Sequence, residues 1–158
     1  MIQLKEITKE NWFEIIQLQS AEDQRNKIFE RDIASNCFSL AQASIEGTWN
    51  VKAIYDEDLP IGFTMYGYSE ELFSYEICRI MIDYRHQGKG FGKTAIQLVI
   101  DNMIKQFDCD EILLAFHPGN EKAKKLYESV GFKDTGKVIT QFVDELIYSY
   151  KVNENTLK

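Results

Sequence analysis

No stretch of this chain is apolar for long enough to span a bilayer, and Lys5, Glu6, Lys9, Glu10 and Glu14 break up its first twenty residues. These features argue against a membrane helix and against a signal peptide. Cysteine is scarce: Cys37, Cys78 and Cys109 are odd in number and lack the short spacing of a metal site. They read as reduced thiols of a cytoplasmic protein without a metal centre. Positive charge is the minority sign, with 18 Lys and Arg against 25 Asp and Glu and a net charge of −7. A nucleic-acid partner would need a basic face, whereas a cationic small molecule suits this balance. No repeat, low-complexity tract or linker divides the chain. Residues 1–158 are therefore expected to form a single domain, with 44% hydrophobic and 27% charged residues, as in ordinary globular proteins.

The most informative stretch is Tyr84-Arg85-His86-Gln87-Gly88-Lys89-Gly90-Phe91-Gly92-Lys93. It follows an apolar strand-like segment ending at Ile82 and precedes a clean helical pattern. Alternating glycines between a strand and a helix form a turn whose backbone N–H groups can close on an anion, and the helix N-terminus adds its positive dipole end. Neither of two familiar phosphate loops fits. A Walker A loop needs four residues before Gly-Lys-Thr, and only three separate Gly88 from Gly92. The dinucleotide fingerprint needs two residues between its second and third glycines, and here Phe91 stands alone.

Periodicity supplies the rest of the outline. A strand near Ile2 to Ile7 leads to a helix from about Lys9, capped by Thr8, with Trp12, Ile15, Ile16 and Leu18 on one face. Residues 21–46 are expected to form a second helical region, continuous or broken, with Ile28, Ile33, Phe38 and Leu40 apolar. A hairpin pairs Thr48 to Tyr55 with Ile61 to Tyr68, and Tyr75 to Ile82 is the fourth strand. The helix after the glycines carries a stripe of Ala95, Ile96, Val99, Ile100, Met103, Ile104 and Phe107. Glu111 to Phe116 is a buried strand, parallel to its predecessor across that helix. Asn120 caps the next helix, Gly131 ends it, and a last strand pair covers 132–143 and 145–152 before a frayed tail.

Two motifs in this order resemble the GNAT superfamily of acetyl-CoA-dependent N-acetyltransferases. One is Gln87-x-x-Gly90-x-Gly92; the other is Asn120-x-x-Ala123-x-x-x-Tyr127 followed by Gly131-Phe132. The resemblance implies an α/β fold with a mixed sheet, in the order β-α-α-β-β-β-α-β-α-β-β, with strands four and five splayed apart. It implies acetyl-CoA as co-substrate, its diphosphate taken by Gln87, Gly88, Lys89, Gly90, Phe91, Gly92 and Lys93. Its pantetheine arm would lie along Ile80, Met81 and Ile82, with Asn120 also in contact. Tyr127 matches the general acid, in contact with coenzyme and protonating the departing thiolate. A phenol suits this role because it stays protonated at neutral pH.

The base is left open between Glu76 and water. Period two places Glu76 on one face with Cys78 and Ile80 and turns Arg79 the other way. Cys78 keeps an acetyl-enzyme variant open, and His86 or His117 could touch coenzyme or shuttle a proton. Within the superfamily the chain is most similar to bacterial spermine/spermidine acetyltransferases, through residues 61–67, 78–83 and 87–93. A polyamine acceptor would need an acidic, partly aromatic trough, for which Glu22, Asp23, Glu30, Asp32, Glu70, Glu71, Tyr66 and Tyr68 are candidates. An aminoglycoside, a peptide or a protein N-terminus are other acceptors, and a non-catalytic acetyl-CoA module is the rival of a different class. Relatives also suggest a homodimer, with no membrane partner.

Overall fold

The computed structural model describes residues 1–25, 34–140 and 143–155. The strands are β1 (Ile2–Glu6), β2 (Trp49–Asp56), β3 (Leu59–Ser69), β4 (Ser74–Ile82), β5 (Glu111–Phe116), β6 (Lys133–Thr140) and β7 (Asp144–Lys151). The helices are α1 (Trp12–Ile16), α2 (Glu22–Arg25), α3 (Asn36–Glu46), α4 (Phe91–Phe107), α5 (Glu121–Val130) and α6 (Val152–Asn155). The strands form a seven-stranded sheet in the order β1-β2-β3-β4-β5-β7-β6. Among the described strands only β4 and β5 run parallel, and they share a single registered pair, Glu76 with Leu113. Beyond that pair the two strands part, as the expected splay requires.

The helices cover both faces of the sheet. Ile96, Val99, Ile100 and Met103 of α4 pack with Ile77, Ile112, Leu114, Phe116 and Tyr148 on one face. Ile15 of α1 and Ala43 of α3 pack with Ala53, Phe63 and Met65 on the other. This two-layered burial follows from α4's wide apolar stripe and from the alternation along β2 and β3. No described helix is long and apolar enough to cross a membrane.

Some expected boundaries move. Thr8 does not cap α1, because Asn11 folds back to accept from the Thr8 amide (2.8 Å) and to donate to the Glu6 carbonyl (3.0 Å). Residues 8–11 thereby close as a turn, and α1 starts at Trp12 with Asn11 at its N-cap position. Trp12 stays 47% exposed, so only Ile15 and Leu18 of its expected face are buried. Phe38 is also exposed, at 44%. Ile28, Glu30, Asp32 and Ile33 lie outside the described residues. The tail does not fray at once, since α6 follows β7 and the Val152 amide donates to the Asp110 carbonyl (2.9 Å).

Candidate active site

A cavity of about 590 Å³ opens where β4 and β5 diverge. Glu76, Cys78, Ile80 and Met81 of β4 form one wall, and Ala115, Phe116 and His117 form the other. Asn120 and Tyr127 line it from the α5 side, Gln42 and Glu46 from α3, and Glu145 from β7.

A β-bulge shapes the β4 wall. Arg79 pairs with Met65 and Ile77 with Tyr66, which leaves Cys78 without a partner on β3. The extra residue breaks period two. Ile77 and Ile80 both pack toward α4, while Cys78 and Met81 pack toward α1 and α3. Ile80 is therefore not on the face of Cys78, as strict alternation predicts. Arg79 does not turn away either. Its guanidinium donates to Gln42 Oε1 at 2.7 Å and stands 5.9 Å from the Phe38 ring centroid.

Burial pushes the Glu76 carboxyl up to about 7; Glu145 and Glu71 add to the rise, while a Ser69 hydrogen bond and Arg79 oppose it. Burial likewise raises Glu145. Cys78 is pushed up to about 12 by burial and by the Glu76 charge, so its thiol stays protonated and weakly nucleophilic at neutral pH. Tyr127 sits edge-on to Phe116 (5.3 Å between centroids) and Phe132 (6.0 Å). Burial, helped by Glu145, pushes its phenol up to about 12. Asn120 Oδ1 accepts from the Ala123 amide (3.2 Å), so the expected helix cap is present. The cavity carries five carboxylates, Glu46, Glu70, Glu71, Glu76 and Glu145, against the guanidinium of Arg79.

Ile82 and residues 87–93 are not among the residues that line the cavity. In the turn, Gly88 and Gly90 adopt φ of 76° and 82° in the left-handed region, and a Cβ at either would meet nothing within 4 Å. Their requirement is conformational, and the space before them is open. Gly90 is the N-cap of the 17-residue α4, and among the described residues no side chain caps that helix. Its first amides and the loop are chemically suited to a diphosphate. Gly92 has no such requirement, since a Cβ there would meet only Leu126 Cδ2, at 3.4 Å and in ordinary van der Waals contact. Lys89 and Lys93 are exposed. Phe91 and Ile82 pack into the core with Ala95, leaving backbone groups as their means of contact.

The model of the acetyltransferase (GNAT) family matches residues 2–132. This chain belongs to the GNAT family. As a GNAT acetyltransferase it uses acetyl-CoA as acetyl donor. It is 28% identical over 143 residues to a spermine/spermidine N(1)-acetyltransferase of Bacillus subtilis, covering 87% of this chain and 91% of that one. In structure it is similar to a Vibrio cholerae spermidine N-acetyltransferase solved with CoA and spermine, at a TM-score of 0.78 and 21% identity over 99% and 98% of the two chains. It is equally similar to the aminoglycoside acetyltransferase AAC(6')-Ib solved with coenzyme A, at 0.80 and 14% identity over the full length of both.

Several sequence candidates fall outside the acetyltransferase's cavity. Tyr66 is fully buried in the α4-side core, where its hydroxyl accepts from Asn102. Tyr68 stacks edge-on against Tyr75, itself stacked on Phe107. Glu22 and Asp23 are exposed on α2, and His86 lines a separate 340 Å³ hollow with Phe13 and Leu59. Arg79, Gln42, Glu46 and Glu145 were missed. Glu145 stands beside Asp144 at the start of β7, and no local signal in the sequence singled out any of the four.

Proposed function

We propose that this acetyltransferase acetylates a primary amine that carries further positive charge, a polyamine such as spermidine or spermine. The observation that carries this reading is the acidic cavity at the β4–β5 splay, with Glu76 and Tyr127 both on its wall. Multiple ammonium groups replace the mutual repulsion among Glu71, Glu76 and Glu145 with attraction. The amine arrives mostly protonated. Glu76, held near neutrality by its surroundings, takes a proton from it directly or through water. The free amine then attacks the thioester in a ternary complex, where the two reactants are oriented together.

Backbone groups of Ile80, Met81 and Ile82 align the pantetheine arm as a strand partner, and the loop of residues 87–93 holds the diphosphate. Tyr127 releases its proton to the departing thiolate, and the second proton shed by the newly acetylated nitrogen returns through solvent to the Tyr127 phenolate. Its raised pKa keeps the donor form present at all working pH values. The protonated Cys78 favours this direct route over an acetyl-cysteine. An assay of thiol release with spermidine, spermine, aminoglycosides and peptides tests the acceptor. Turnover of the two polyamines above the other amines is the expected result; flat rates for both beside turnover of an aminoglycoside or peptide would end the assignment.

A further inference from the structure

The side-chain amide of Gln87 is committed to the protein. Its Nε2 donates to Gln24 Oε1 and to the Ile82 carbonyl, both at 2.9 Å. Its Oε1 accepts from Lys122 Nζ at 3.2 Å. Two of these partners fix the amide's orientation, because a carbonyl only accepts and an ammonium only donates. Gln24 must therefore present its oxygen. The same stretch is held at a second point: the Gln19 amide donates to Asp83 Oδ2 (3.0 Å) and the Tyr84 amide to the Gln19 carbonyl (2.8 Å). Arg25 braces it, with Nη2 on Gln19 Oε1 (2.7 Å) and Nε on the Ser20 carbonyl (3.1 Å).

Asp83, fully buried, anchors this seam. Burial alone would raise its carboxyl, but hydrogen bonds from the Arg85 side chain and from the Gln19 and Arg85 amides hold it below the usual range. Residues 19–25 thus run fastened along residues 82–87, the lead-in to Gly88 and Gly90.

We propose that Gln24 is a positioning residue for the coenzyme loop: it holds Gln87 from α2 and so sets coenzyme affinity without touching the coenzyme. The proposal rests on the reading of residues 87–93 as the diphosphate cradle. Its physical basis is the openness of the loop. Gly88 and Gly90 lack side chains, and nothing lies within 4 Å of where a Cβ would stand, so the loop's shape is imposed from its flanks. One flank is α4; the other is Gln87. Glycine loses more backbone freedom on ordering than any other residue, and a tether that orders the approach beforehand lowers that cost at binding.

The test is calorimetry with coenzyme A and steady-state kinetics on the full chain and two variants, Gln24→Ala and Gln24→Glu. Gln24→Ala should bind coenzyme A about five-fold more weakly, as expected for one lost neutral hydrogen bond. The KM for acetyl-CoA should rise by the same factor, with kcat and the acceptor KM unchanged. Gln24→Glu keeps an acceptor oxygen for Gln87 Nε2 and should restore coenzyme affinity to within about two-fold of the parent. Parent-like coenzyme binding in Gln24→Ala overturns the proposal, as does a Gln24→Glu variant no better than the alanine. If the parent itself binds no coenzyme A, the cradle reading falls and the proposal with it.

Discussion

Glu76 and Tyr127 owe their proposed chemistry to the same low-dielectric surroundings, which push a carboxyl and a phenol upward for the same reason. For Glu76 the consequence is a base that ionises near pH 7. The value of kcat/KM should rise with pH through about 7, and Glu76→Gln should flatten that limb in a pH–rate profile. The stability sign is opposite. Because the folded carboxyl titrates at about 7 against 4.5 unfolded, the folded state holds the proton more tightly and stability falls as pH rises through that window. Glu76→Gln should therefore melt higher than the parent at pH 8 while turning over more slowly. A lower melting temperature with an intact pH limb would remove Glu76 from the role of base. Tyr127→Phe keeps the ring packing against Phe116 and Phe132 and removes only the proton. We expect kcat to fall roughly 10²–10⁴-fold, with coenzyme A affinity by calorimetry unchanged.

At the scale of elements, β4 and the turn into α4 carry most of the site. The bulge at Cys78 brings Arg79 round to Gln42 and Phe38, and that side chain tempers the acids around it. The glycine turn separates into positions of different kind. Gly90, in the left-handed region at φ 82°, should tolerate alanine poorly, losing about 1–2 kcal/mol of stability together with coenzyme affinity. Gly92 lies inside α4, with Leu126 only in van der Waals contact, so alanine there should leave stability equal or slightly higher. Denaturant midpoints of the two variants, measured side by side, check the contrast. The turn was legible in sequence because alternating glycines between a strand and a helix are a local signal. The bulge was not, since the register of β4 is set by its pairing with β3.

Across the whole molecule, a net charge of −7 and five cavity carboxylates would attract the proposed cationic acceptor before contact. Raising ionic strength from about 0.01 M to 0.15 M shortens the Debye length from about 30 Å to about 8 Å. The value of kcat/KM for spermidine should fall over that range, while a singly charged amine changes less; a salt-independent ratio would count against electrostatic recognition. The sequence by itself carried the two motifs that resemble the GNAT family, and with that resemblance the coenzyme. Motif spacing and apolar periodicity are local properties, so it also disclosed all seven strands, but neither α6 nor the division of the helices before β2. Tertiary structure decided which acids meet. Glu46, Glu71, Glu76 and Glu145 come from four separate parts of the chain and share one cavity only once β4 and β5 part. It also turned Tyr66 into the core and tied Gln87 to Gln24, since partners 36 and 63 residues apart come within hydrogen-bond range only after the chain has packed.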